Sequence, residues 1–405
     1  MVERTLAARP GRTERRARTG VGLVFLTNGL VYANVLPRFP QIKDQLGLSN
    51  AELGTAVAAF PLGALLAGLT AGTLIARFRS SRVASFGMVA IAAGIVLVGL
   101  APNWGLFAVA MFLAGAADSV VDVAQNAHGL RVQRRYGRSI LNSFHALWSV
   151  GAVAGGLMGS AAAGIALPIP LHLALSSLLS VVIALAVYPM LLTGPEEAER
   201  DTGSSEDSAG TGAPRTPWAG LGLRTVLLLG VFGLIATSGT LVEDSGQTWA
   251  AIHLQGLGAG AAVAGFGFVA LQGCQFVGRL LGDRMVDRFG QRAVALCGGV
   301  LVCAGMGAAL AFPTVPTTIA GFGLAGFGVA TLVPAAMTAA DHRPGLAPGT
   351  GLTVVTWLMR VGFLVSPPVV GIVADAWSLR VGLLVVPLAG LIVLLCARVL
   401  PRRLA

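Results

Sequence analysis

The chain has 405 residues, of which 55% are hydrophobic and 11% are charged, and its mean hydropathy is +0.78. This composition excludes a soluble globular domain and is typical of a polytopic membrane protein. The 28 basic residues outnumber the 18 acidic ones, but almost no aromatic residues interleave with the basic clusters, so no nucleic-acid partner is predicted.

Twelve apolar runs in chain order are long enough to cross a hydrocarbon core, which takes about 20 residues per helix. They begin near Gly20, Glu52, Val83, Trp104, Ser139 and Leu167, and then near Leu223, Gly258, Ala293, Val315, Gly349 and Leu379. Between the two sets lies segment 193–222, whose Gly, Ser, Pro and acidic residues cannot bury a core and predict a flexible linker. The sequence therefore predicts an all-α membrane protein with a basic tail at 1–19, six-helix bundles at 20–192 and 223–400, and a tail at 401–405.

The positions of the basic residues predict the orientation of the chain. Arg38, Lys43 and Arg380 fall in the loops on one side and Arg360 falls inside a helix, which leaves 24 of the 28 basic residues on the side of the N-terminus. Because basic loops stay in the cytoplasm, we expect both termini and the linker to be cytoplasmic, in a multi-pass protein of the plasma (cytoplasmic) membrane.

Short motifs recur at one constant spacing. Arg77-Phe78 returns as Arg288-Phe289, Leu113-Ala114-Gly115 as Leu324-Ala325-Gly326, and Gly151 as Gly362, each 211 positions later. One offset that holds in three different hairpins indicates that the halves are duplicated bundles, an arrangement common among secondary transporters.

The fourth and fifth apolar runs carry the main candidate site. Asp118, Asp122 and Gln125 share one helical face, with Asn126 beside Asp122. An intramembrane acid normally faces a partner or a water-filled cavity, so one acid is predicted to carry a proton and the other to bind substrate; a packing role is the alternative. On the next helix, His145 and Trp148 fall at a similar depth. His145 is predicted to relay a proton and Trp148 to stack on the solute; the alternative is that both are interior packing groups.

The second half supplies further candidates. Glu243 and Asp244 form an acidic pair in the seventh helix, placed either at the outer rim or, by the 211-residue offset from Tyr32, on the cavity. Arg360 is predicted to pair with Asp118, Asp122 or Glu243, and the pair is predicted to break during the transport cycle. Weaker candidates for the cavity wall are Asn28, Tyr32, Gln272 and Gln275.

These motifs resemble the major facilitator superfamily over nearly the whole chain. The second-half loop resembles the family's gating loop at Gly282, Asp287, Arg288, Phe289, Gly290 and Arg292. The first-half loop resembles it at Gly72, Leu74, Arg77 and Phe78. It departs from the family's pattern with Ala76 in place of aspartate and Arg79 in place of glycine. A further series resembles the bacterial branch near the fucose:proton symporters: Asp122, Asn126, Gly137-Arg138, His145, Trp148-Ser149, Gly151, Gly155, Glu243 and Trp249.

The resemblance implies twelve transmembrane helices in two pseudo-symmetric bundles, with Arg77, Arg82, Asp287, Arg288 and Arg292 in the gating loops. It also implies a secondary active transporter that works by rocker-switch alternating access. We expect a monomer that moves a small polar, sugar-like or drug-like molecule with a proton as coupling ion, and no metal, other cofactor or enzymatic activity. A proton-driven efflux pump and a transporter-like sensor that does not move its ligand remain alternatives, and the solute stays unnamed.

Overall fold

The computed structural model describes residues 11–194, 222–341, 343, 346 and 349–401. Over these residues the chain forms helices and connecting turns without strands, and it contains twelve helices long and apolar enough to cross a membrane. The twelve predicted spans are thus confirmed. We number them as spans 1 to 12: Arg12–Leu46, Asn50–Gly68, Ser80–Leu100, Trp104–Tyr136, Leu141–Gly164, Ile169–Met190, Leu223–Gly256, Ala261–Phe289, Gln291–Ala311, Val315–Asp341, Thr350–Ala376 and Leu379–Val399.

Several spans are interrupted by short breaks. The pieces are Arg12–Ala33, Leu36–Arg38 and Phe39–Leu46 in span 1; Ile169–Val187 and Tyr188–Met190 in span 6; Ala261–Ala264 and Phe266–Phe289 in span 8; Val315–Val329 and Leu332–Asp341 in span 10; and Leu379–Gly382, Val385–Cys396 and Ala397–Val399 in span 12. Span 2 is followed by a separate helix, Ala71–Phe78, which carries the first-half basic loop.

The first helix begins earlier than the sequence predicted. It starts at Arg12, directly after Gly11, whereas hydropathy placed its start near Gly20 and assigned 1–19 to a tail. Hydropathy reports only the apolar part of a helix, and no Gly or Pro interrupts residues 12–19, so the helix continues into its basic first turns. The predicted linker and C-terminal tail fall almost entirely outside the described residues, as do residues 1–10.

The duplication predicted from the 211-residue offset is visible in the helix boundaries. The helices that begin at Arg12, Ser80 and Trp104 have counterparts beginning at Leu223, Gln291 and Val315, each 211 residues later. The repeated Leu-Ala-Gly motif has the same role in both bundles. A Cβ atom on Gly115 would collide with the carbonyl oxygen of Phe60, and one on Gly326 with that of Leu271, again 211 residues on. Both glycines therefore permit two helices to approach closely.

The two bundles meet most tightly at one end. Spans 2 and 11 touch where Gly54 faces the carbonyl group of Pro367, and spans 5 and 8 touch where Gly164 faces Ala262. At this end Asp375 of span 11 accepts hydrogen bonds from the backbone N–H groups of Asn50 and Ala51, at 3.0 and 2.7 Å. We call this the closed end.

The other end carries residues 77–82, 131–138 and 284–292, and we call it the basic end. In the half of the interior nearest to it, the side chains of Asp122, His145, Arg279 and Arg360 are all exposed, although each belongs to a helix that packs in the middle of the molecule. The space between the bundles is therefore closed at one end and open toward the basic end.

Candidate functional site

A cavity of about 260 Å³ lies between the two bundles, at the middle of the spans. Its wall combines five aromatic side chains with three acids and three amides from both halves: Tyr32, Phe60, Trp148, Phe268 and Phe363; Asp118, Glu243 and Asp244; and Asn28, Gln247 and Gln272. A concave, largely apolar site with a few convergent polar groups is typical of a small-molecule binding site.

Asn28 is the centre of the polar network on the first bundle. Its amide nitrogen donates to Asp118 Oδ1 at 2.8 Å, and its Oδ1 accepts from Trp148 Nε1 at 2.9 Å and from Gln125 Nε2 at 3.4 Å. These bonds tie spans 1, 4 and 5 together beside the cavity. The sequence ranked Asn28 among the weaker candidates because a single buried amide gives no periodic signal; its importance depends on the three helices that converge on it.

The structure separates Asp118 from Asp122, which the sequence placed on one face. Asp118 lines the cavity, whereas Asp122 is one helical turn nearer the basic end and is not part of the cavity wall. Asp122 Oδ1 accepts hydrogen bonds from Gln125 at 3.1 Å and Asn126 at 3.0 Å. One helical turn therefore separates a side chain on the cavity from one in the open passage below it.

His145 stands beside Asp122 in that passage and interacts with it electrostatically. Its ring packs edge-on against Phe25, with ring centroids 5.3 Å apart, and it is not part of the cavity wall. Trp148, one turn deeper, does line the cavity. The expected group of acid, amide, imidazole and indole is therefore divided between two levels.

On the second bundle the structure places Glu243 and Asp244 on the cavity, which answers the question of depth that the sequence left open. Glu243 accepts hydrogen bonds from Gln275 at 3.0 Å and Gln247 at 3.3 Å, and its Oε2 lies 3.8 Å from the guanidinium of Arg279. Asp244 is 6% exposed, and its neighbour is the buried Ser366 hydroxyl, although its Oδ2 forms no hydrogen bond of standard geometry in the described part of the chain.

Arg279 is the functional candidate that the sequence missed, because it was counted with the loop arginines 279–292. It lies within the helix Phe266–Phe289, ten residues before its end, or about 15 Å at 1.5 Å per residue. A signal was present: Gln272, Gln275 and Arg279 recur at spacings of three and four, which puts them on one helical face. An apolar helix with such a polar stripe predicts an arginine that faces the interior between the bundles.

Arg360 has no carboxylate within 4 Å among the described residues, so the ion pair predicted for it is not formed in this conformation. Its guanidinium lies near Gly68 of span 2, and Asp122 is the acid with which it interacts electrostatically. The arginine is exposed in the open passage. Pairing of Arg360 with an acid in another conformation stays a prediction.

Sequence comparison identifies the family. The family model described as Major Facilitator Superfamily matches residues 21–284 and 247–404. The chain belongs to the Major Facilitator Superfamily. It is 31% identical to the membrane protein MosC of Rhizobium meliloti, covering 87% of this chain and 82% of that protein. It is 29% identical to the uncharacterized transporter y4wD of Sinorhizobium fredii, covering 87% and 89%. The superfamily predicted from the sequence is confirmed, and the nearer resemblance to the fucose:proton branch stays a prediction.

A solved structure shows the same fold. The D-xylose-proton symporter superposes on 96% of this chain and 98% of its own with a TM-score of 0.69, at 15% sequence identity. Members of the superfamily are transporters, so the expectation of a carrier rather than an enzyme is confirmed. No group of metal-ligating side chains occurs in the described ranges.

The superfamily's gating loops have matching local geometry in the two halves. Arg77 stacks on Phe78 at 5.6 Å, and Arg288 stacks on Phe289 at 5.3 Å. Immediately after each pair, Arg79 has φ +73° and Gly290 has φ +83°. The glycine that the first-half loop lacks is therefore replaced by an arginine in a left-handed conformation.

The remaining gating residues make contacts inside their own bundles. Arg82 donates to the Tyr188 hydroxyl at 3.4 Å, and Arg292 donates to the carbonyl groups of Leu400, at 3.1 Å, and Arg398. Asp287 is exposed. A gating role for the five loop residues across the bundles remains a prediction, since the basic end is open in this conformation.

Proposed function

We propose that this member of the Major Facilitator Superfamily is a proton-coupled secondary active transporter that moves a small solute by alternating access. The observation that carries the proposal is the central cavity, whose acids come from both bundles and which is closed at one end and open toward the other. A site shared by two rigid bundles changes its access when the bundles rock against each other.

The basic end is assigned to the cytoplasm of a plasma-membrane protein because it carries most of the arginines. In that orientation this conformation opens to the cytoplasm, and Asp375 closes the outer end. Partners are then the solute and the lipid bilayer, with the monomer as the working unit.

For proton coupling we assign Asp122, with His145 and Arg360 as its neighbours. Asp122 is exposed in the open passage, so it can exchange a proton with the cytoplasm. In its ionised form it attracts Arg360, which belongs to the other bundle; in its neutral form that attraction is lost. Protonation thereby changes the force between the two bundles, while Asp118 remains available to the solute one turn deeper.

The experiment is flux into proteoliposomes, with a solute selected by a thermal-shift screen of sugars and drug-like compounds against the purified protein. An imposed proton gradient is expected to drive uptake or release of that solute, and a protonophore is expected to abolish it. Asp122→Asn is expected to reduce gradient-driven flux to less than about a tenth while solute binding persists. The matched control is Asp44→Asn, which removes an exposed acid far from the passage.

Gradient-driven flux at the wild-type rate in Asp122→Asn would refute the assignment of the proton site. Binding without flux in the wild-type protein would instead favour the sensor alternative. The sign of the gradient that drives flux separates import from efflux.

A further inference from the structure

We propose that the solute of this transporter is an organic cation, a small molecule whose protonated amine lies between Asp118 and Asp244 and whose apolar body contacts the aromatic wall. This inference rests on the proposed transport function and narrows its substrate class.

The charges on the cavity wall favour a cation. Three carboxylates line the cavity, and no lysine, arginine or histidine is found in its lining among the residues that the structure describes. One of the three, Glu243, is compensated by Arg279 behind it. Asp118 and Asp244 have no basic group within ion-pair distance in the described ranges. These carboxylates would repel an anionic solute, whereas a cation would neutralise them.

Unpartnered polar atoms mark the wall where the amine would bind. Asp244 is 6% exposed, and its Oδ2 forms no hydrogen bond of standard geometry, although the Ser366 hydroxyl is its neighbour. Gln272 is fully buried, and both its amide atoms are unpartnered in the described part of the chain. Buried polar atoms nearly always have a hydrogen-bond partner. An ammonium group can donate three hydrogen bonds, which suits one oxygen of Asp244, the Gln272 carbonyl and an oxygen of Asp118.

The rest of the wall fits a compact apolar body better than a polyol. Tyr32 stacks on Phe60 with ring centroids 4.3 Å apart, and Trp148 and Phe268 line the same space. Aromatic faces attract cations as well as apolar groups. A neutral sugar would leave the charge of the two acids uncompensated. The volume of about 260 Å³ is just below the range of about 300–1,000 Å³ that is usual for pockets of drug-sized ligands, and it suits a molecule with one ring.

The test measures binding to the purified full-length protein in detergent by isothermal titration calorimetry, with two matched series of probes. One series is 2-phenylethylammonium, 2-phenylethanol and 3-phenylpropanoate, and the other has a cyclohexyl ring in place of phenyl. In at least one series the ammonium is expected to bind at least about tenfold more tightly than its alcohol and its carboxylate. If neither ammonium binds, or if an alcohol or carboxylate binds as tightly, the proposal is overturned.

Variants locate the amine. Asp244→Asn and Asp118→Asn are each expected to weaken ammonium binding at least about tenfold, and Asp44→Asn is expected to leave it unchanged. If Asp244→Asn does not fold, Asp118→Asn decides. Wild-type affinity in the folded variants would overturn the proposal. Failure of this inference is distinguishable from failure of the proposed transport function. Gradient-driven flux of a neutral or anionic solute would refute the cationic solute and support transport. Binding of the ammonium probe without flux would support the cationic ligand and refute transport.

Discussion

Replacing Arg79 with glycine is expected to stabilise the protein. Arg79 has φ +73° and ψ 147°, a backbone conformation that is nearly restricted to glycine, and its exposed side chain forms no hydrogen bond or ion pair with the described residues. The corresponding position in the second bundle is Gly290, with φ +83° and ψ 155°. The turn therefore requires this conformation, and the first bundle adopts it with an unfavourable residue.

The size of the effect follows from two opposing contributions. Holding a non-glycine residue in such a conformation costs about 1–3 kcal/mol, and glycine's greater freedom in the unfolded chain returns about 0.5–1 kcal/mol of that. The net gain for Arg79→Gly is about 1 kcal/mol. With an entropy of unfolding of about 2.1 cal/mol/K per residue over 405 residues, the midpoint of thermal unfolding should rise by about 1 °C.

The assay is thermal unfolding of the purified protein in detergent, followed by the fluorescence of its six tryptophans. Arg79→Ala should change little, because the strain remains while the charge is lost. Arg134→Gly, which replaces an exposed arginine in the last turn of span 4, should destabilise the protein by up to about 1 kcal/mol. If Arg79→Gly lowers the midpoint as Arg134→Gly does, the strain at Arg79 is not real and the reasoning fails.

Three further predictions concern the bundles and their contacts. Asp375→Asn should weaken the closed end, because a carboxylate that caps the N-terminus of span 2 becomes a neutral amide. Spin labels across that end should show a larger population of long distances, and an unchanged distance distribution would count against the cap. Asn28→Ala should destabilise the protein by about 2–3 kcal/mol, since it leaves Asp118 and Trp148 without their shared partner; a thermal midpoint equal to wild type would show that the network contributes no stability. Arg360→Ala should abolish gradient-driven flux in proteoliposomes, because it removes the attraction between Arg360 and Asp122. It should not lower the thermal midpoint, because the Arg360 guanidinium forms no ion pair with the described residues in this conformation, and full flux in the variant would exclude Arg360 from the transport cycle.

The sequence by itself determined the number of spans, the duplication and the superfamily. Hydropathy is a local property of about 20 consecutive residues, and the 211-residue offset is a property of the linear chain, so neither needs tertiary information. The Leu-Ala-Gly repeat even anticipated a packing contact, because only glycine lets Gly115 and Gly326 approach a neighbouring backbone so closely.

Only the tertiary structure decided which polar groups meet. The rotation and tilt of each helix are set by its neighbours, so the sequence could not show that Asp118 lines the cavity while Asp122, one turn away, lies in the open passage. For the same reason it missed the pairing of Arg279 with Glu243. Which end is closed also lies beyond a linear pattern, because the closure depends on contacts between residues more than 300 positions apart, such as Asn50 and Asp375.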